Sequence, residues 1–266
     1  MTTASTPDAR TTEPNDTAGS GSRPDSGAAD RTARDALRDA LVRTAAQGRV
    51  LIELTLDTSG TNAALQRTRG RGPVLALART LFRAAPDVLT TRGLIDFTTG
   101  HAAGARPAIA WLEHDGRVWH GMPGRELARL DPTPATPRIA PLTLLALLAQ
   151  AQQVSRLEPD ADADANARTA AAETATDATI PRQRERFAIT TLLSADADSP
   201  ALDAEVTTAD GMLHTVRARC GRDLVTLVLF AHPSDPAGAD ALDWTRLPDP
   251  DDPAWSRVLA EFPAAD

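Results

Sequence analysis

The sequence predicts an α+β fold built on an antiparallel sheet, and three observations carry that reading. Asp115-Gly116 sits between the β-prone runs Ile109-Ala110-Trp111-Leu112 and Val118-Trp119, and a two-residue Asp-Gly loop suits a hairpin because both positions need positive φ. After Arg186 the apolar residues fall on alternate positions in one run after another, the period of half-buried strands. Before either region, Ala33, Leu37, Leu41 and Ala45 recur at helical spacing and lead directly into Val50, Ile52, Leu54 and Leu56 at strand spacing.

The elements follow in order. Residues 1–28 are Thr, Ser, Asp, Pro and Gly in the main; they bury too little apolar surface to offset their ordering entropy and are expected as a disordered tail. Asp30 is placed to cap the first helix and Gly48 to end it. Between Thr58 and Pro86 lie five arginines, Arg67, Arg69, Arg71, Arg79 and Arg83, with no carboxylate before Asp87 beyond. Pro73 suits a first helical position there, with Val74, Leu77, Ala78 and Leu81 as the face and Pro86 as the stop. Leu89, Leu94, Ile95 and Phe97 make a first hairpin arm, with Thr98-Thr99-Gly100 as its turn signal. Pro132, Pro134 and Pro137 exclude a central strand from the next stretch. Pro141 then opens a helix, Leu142, Leu144, Leu145, Leu147 and Leu148, that is apolar nearly all round and must be enclosed or meet an apolar ligand. Residues 154–158 read as a short strand, and 159–181 as a low-complexity acidic insertion of Ala, Asp and Thr. Phe187, Ile189, Thr191 and Leu193, then Leu202, Ala204 and Val206, then the runs on either side of Asp210-Gly211, form a four-stranded meander.

Composition narrows the function. The 266 residues carry a net charge of −8, and −4 of it falls in residues 159–180 and −6 in 235–266, leaving the rest near neutral. An acidic chain argues against general affinity for nucleic acid. Aromatics are 3% and Tyr is absent, so the core is aliphatic. Cys220 is the only cysteine, which excludes an internal disulfide and reads as a small buried hydrophobe. No apolar run approaches the ~20 residues of a membrane span, and the first 30 residues lack a signal pattern, so the expected location is cytoplasmic.

No catalytic signature is present: no nucleophile elbow, phosphate loop, dinucleotide fingerprint or His-Glu-x-x-His. The reading is therefore non-enzymatic, with no catalytic residue, cofactor or metal assigned. His114 and His120 straddle Asp115-Gly116 with Glu113 beside them, a pattern more often an exposed hairpin end than a metal site. His101, His214 and His232 are scattered and expected exposed. Trp111 and Trp119 are expected to pack on each other across strands. Trp244 and Trp255 are expected to anchor the acidic C-terminal segment to the domain or to a partner. Arg67, Arg69 and Arg71 are candidates for an anion or an acidic partner, with a solvated loop as the commoner meaning.

The order of these elements resembles the lipoprotein-carrier-like half-barrel superfamily, the LolA, LppX and LprG-like proteins. The residues that carry the resemblance are the opening helix and strand at 30–60, Arg92-Gly93-Leu94-Ile95-Asp96-Phe97-Thr98-Thr99-Gly100, Asp115-Gly116-Arg117-Val118-Trp119 and Ala209-Asp210-Gly211-Met212-Leu213. Length and composition favour a single domain over 29–248, followed by an acidic tail at 249–266, and the resemblance implies that in this domain a curled antiparallel sheet forms an open half-barrel with helices on its concave side. It further implies an apolar, lipid-like ligand between sheet and helices. The wall would then include Val50, Ile52, Leu54, Leu94, Ile109, Trp111, Ile189 and Leu227, with Leu142, Leu145 and Leu148 on the plugging helix. The usual export signal and lipidated cysteine of that superfamily are not in the sequence as given. Two functions compete: a binding protein for an apolar small molecule, and a protein-interaction module whose interior is filled by side chains. A continuous apolar cavity of roughly 300 Å³ or more beside the Leu142 helix favours the first, and a packed interior the second.

Overall fold

Eleven strands and four helices make up the described part of the chain, which in this computed structural model comprises residues 26–67, 87–158, 184–192, 201–230 and 235–263. Helix α1 (Ser26–Ala45) reaches strand β1 (Arg49–Asp57) through Gly48, at φ +73°. Next come α2 (Ser59–Arg67), β2 (Val88–Asp96), β3 (His101–Arg106), β4 (Ile109–His114), β5 (Arg117–Gly121) and the two-residue β6 (Thr133–Pro134). The chain continues with α3 (Pro141–Ala149), β7 (Gln153–Leu157), β8 (Arg184–Leu192), β9 (Ala201–Ala209), β10 (Met212–Cys220), β11 (Asp223–Phe230) and α4 (Pro253–Ala260).

The strands form one sheet in the order β6-β5-β4-β3-β2-β1-β11-β10-β9-β8-β7, with every pairing antiparallel. Two meanders, β2 to β6 and β8 to β11, flank β1. The turns are those the sequence announces: Asp115 and Gly116 take φ of 49° and 68°, and Asp210 and Gly211 take 54° and 73°. Pro134 lies on the edge strand, where its missing N–H breaks no ladder.

The sheet is curled. Helix α3 touches both β3 and β8, which stand six strands apart in the order. In a flat sheet that separation would be about 29 Å at ~4.8 Å per strand, beyond the ~10–12 Å width of a helix. The result is an open half-barrel, and α1 and α3 lie in its concavity. Their buried residues Ala33, Leu37, Ala40, Leu144, Leu145 and Leu148 join Val50, Ile52, Phe187, Ile189, Val216 and Leu227 from the strands in one core.

A second core covers the other face of the same sheet. Leu51, Leu94, Ala103, Ala110 and Leu112 pack there against Leu242, Leu247, Trp255, Val258 and Phe262. The helices are thus not confined to the concave side: α4 sits on the convex face, and the segment read as an acidic tail contains it. Asp252 caps that helix by accepting from the Ala254 and Trp255 amides.

Two local readings are corrected, and two elements appear that were not expected. Helix α1 begins at Ser26, so Asp30 lies within it and caps nothing, and residues 26–28 are helical. Helix α2 occupies Ser59–Arg67, where the sequence showed only an arginine-bearing stretch. Strand β3 is built from Ala-Ala-Gly-Ala, which has no strand signal. Trp111 and Trp119 do not meet: Trp111 pairs with His120 and Trp119 with Leu112, so the two indoles lie on opposite faces. The rest of the N-terminal tail, the helix expected from Pro73 and the acidic insertion lie outside the described residues.

Candidate functional site

On the concave face Trp111 is held from two sides. Its Nε1 donates to Thr91 Oγ1 at 3.0 Å, and its ring lies over Gly104, where a Cβ would come within 2.8 Å of the indole. Gly93, directly opposite Gly104 in register, has no room for a side chain either, since a Cβ would meet the Ala103 carbonyl. Gly104 lets the indole lie down on the sheet and make a flat apolar floor.

Beside that floor opens a pocket of about 180 Å³. Register explains its walls: Leu54 pairs with Thr91 and Leu56 with Leu89, so all four share the face of Trp111. Ile109 stands two residues before Trp111 on β4 and forms the rim, and Ile139 closes the pocket from the turn before α3. The polar groups are Thr91, Arg106, His120 and Arg138. Arg138 is held by Asp223 at 2.8 Å, whose side chain is only 2% exposed. His120 Nε2 is 3.1 Å from Thr133 Oγ1, and burial pushes the imidazole pKa down, which keeps the ring neutral at neutral pH. Arg106 makes no ion pair among the described residues.

A second pocket, about 220 Å³, lies between the end of α1 and α3, with Leu41, Val42, Phe97, Leu145 and Leu213 in its walls. Its polar group, the Thr44 hydroxyl, already donates to the Ala40 carbonyl and accepts from the Leu213 amide. Nothing there remains to orient a ligand. The first pocket combines apolar walls with convergent polar groups, the usual composition of a small-molecule site.

The structure distributes the residues singled out in the sequence. Leu54, Ile109 and Trp111 line the first pocket and Leu145 the second. Val50, Ile52, Leu148, Ile189 and Leu227 are at most 2% exposed, inside the packed core. Leu142 is half-buried on α3 against that core. Leu94 points to the convex face, because its neighbour Ile95 takes the concave one; a two-sided sheet buries both. Arg67 is exposed at the end of α2, and Arg69 and Arg71 lie outside the described residues. Arg106, Arg138, Thr91 and Ile139 were not singled out, and Leu56 and Leu89 were named only as strand residues. Extending the period-two count from Trp111 and Leu54 across the hairpins finds Leu56 and Leu89, whereas Arg138 comes from a loop with no periodic signal.

The histidines divide between the two faces of the sheet, and His101, expected exposed, is half-buried. His114 lies on the convex face, stacked on His101 with ring centroids 4.0 Å apart and a 5° interplanar angle, and Trp244 stacks on His101 in turn at 4.9 Å. His120 is on the concave face, so His114 and His120 form no common site. Among the described residues no three His, Cys, Asp or Glu side chains group to hold a metal. Cys220 is half-buried, and burial pushes its thiol up to about 11, so it is protonated at neutral pH. No described helix is long and apolar enough to cross a membrane.

Glu113 organises the helix beside the pocket. The first residues of α3 lack a local side-chain cap, and Glu113 on β4 supplies one from across the concavity. Its carboxylate accepts from the Leu142 and Thr143 amides at 2.8 Å and from the Thr143 hydroxyl at 2.7 Å.

Fold and pocket together define an open half-barrel with a small apolar pocket on its concave face. Among solved structures the chain is similar to the crystal structure of LprF from Mycobacterium bovis, at 12% sequence identity and a TM-score of 0.38, covering 76% of this chain and 94% of that one. No protein-family model matches the sequence, and no curated protein does.

Proposed function

We propose that the protein is a non-enzymatic binding protein that holds a small apolar molecule between the sheet and the turn leading into α3. The observation that carries this reading is the pocket beside Trp111: apolar walls, a pinned aromatic floor and a few polar groups at the rim. A volume of 180 Å³ is close to the ~150 Å³ of an apolar cavity that admits a benzene-sized guest. The ligand is therefore small, on the scale of one ring or a short chain.

A second reading, an interaction module with a filled interior, draws support from the packing around α3. Leu144, Leu145 and Leu148 are at most 5% exposed, and neither pocket reaches the roughly 300 Å³ of a drug-sized site. Native mass spectrometry of the purified chain, with organic extraction of whatever it carries, decides between the two. The binding reading expects a small co-purifying compound, or uptake of added hexan-1-ol, and loss of either in Ile109→Trp, which fills the pocket from a rim position that is 36% exposed. A clean mass with no uptake overturns it in favour of the filled module.

A further inference from the structure

The charges around the Trp111 pocket do not cancel. Arg138 is neutralised by Asp223, at 2.8 Å. His120 is exposed and hydrogen-bonded to Thr133 at 3.1 Å, and its lowered pKa leaves it uncharged at neutral pH. No Asp or Glu lines the pocket among the described residues. What remains is Arg106, half-buried, at the last position of β3 and directly paired with the rim residue Ile109. One guanidinium with no ion pair among the described residues thus stands at the mouth of an apolar pocket that takes about six non-hydrogen atoms, at ~30 Å³ for each water-sized group.

The geometry points to a small monocarboxylate as the ligand: an apolar chain or ring of about six carbons on the Trp111 floor, with its carboxylate on Arg106. This rests on the binding reading above and names the ligand class for the same pocket. A single unpaired cation matches one negative charge, and the planar fork of Arg suits a carboxylate's two oxygens. A dianionic headgroup would carry one charge more than the rim offers, and a multi-chain lipid would not fit the volume. A neutral apolar molecule would fill the pocket without using the Arg106 guanidinium at its mouth.

Isothermal titration calorimetry of the full chain with hexanoate and with hexan-1-ol tests this. The alcohol reports on the pocket and the ratio of the two affinities reports on the charge. Hexanoate is expected to bind at least about tenfold more tightly, the value of one charged hydrogen-bonded contact. Arg106→Gln should bring the two affinities to within about twofold, and Arg106→Lys should restore most of the preference. Should Arg106→Gln fail to fold, the wild-type ratio should still shrink as salt is raised. Equal affinities, or a preference that survives Arg106→Gln, overturn the carboxylate assignment while leaving the pocket reading in place. Binding of neither probe overturns both.

Discussion

At the scale of single residues, Glu113 shows how one side chain ties the sheet to the helix above it. Three donors converge on its carboxylate, which is 2% exposed. Burial pushes its pKa up, and the Thr143 hydroxyl and the Leu142 and Thr143 amides only partly reverse this. A carboxyl whose pKa is higher folded than unfolded binds more protons in the native state, so its contribution to stability falls as pH rises from the ordinary value through the raised one and is level above that. Glu113→Gln removes that slope. The difference in Tm between wild type and variant, followed from acid to neutral pH, should move against wild type across this window and then flatten. Asp96 works in the opposite sense. Burial would raise its pKa, but the Thr98 hydroxyl, Arg49 and the Thr99 and Thr98 amides prevail and lower it, so its contribution is lost as pH falls through the lowered value.

At the scale of elements, the β3–β4 hairpin decides whether there is a pocket at all. Strand interiors generally gain about 0.5–1 kcal/mol from Gly→Ala. At Gly104 the sign should reverse, because a methyl carbon would lie 2.8 Å from the Trp111 ring and force it off the sheet. Gly104→Ala is expected to lower the urea midpoint and to weaken hexan-1-ol binding, both read on the same preparation. The hairpins themselves were legible, since Asp115-Gly116 and Asp210-Gly211 state their own turn type. Strand β3 was not, for the reason that makes it useful: Ala and Gly lack strand propensity, and their small size is what admits Trp111. Helix α2 was hidden similarly, because its capping bond from Ser59 N–H to Asp57 and its buried Asn62 are polar features without an apolar stripe.

At the scale of the whole molecule, one sheet separates two cores, and only one of them was visible in the sequence. Alternation along β2 puts Leu94 and Ile95 on opposite faces but cannot say which face meets the concavity. The answer depends on the C-terminal segment, whose acidic, Pro-rich composition concealed a helix. That segment covers Leu51, Leu94, Ala103 and Leu112, all at most 1% exposed, through Trp255, Val258 and Phe262. Its docking is reinforced by Trp244 on His101 and by Arg49, which reaches Asp96 on the sheet at 3.0 Å and Asp240 in the segment at 2.6 Å. The pocket lies on the far side of the sheet from all of these contacts. Removing the Trp255 side chain, 5% exposed, should therefore cost about 3–5 kcal/mol of stability through the cavity it leaves. Because no pocket wall touches that cavity, the Trp255→Ala protein, held well below its lowered Tm, should bind hexan-1-ol within about twofold of wild type. A parallel loss of stability and affinity would instead mean that the two faces are coupled through the sheet, and that the convex helix sets the shape of the concave pocket.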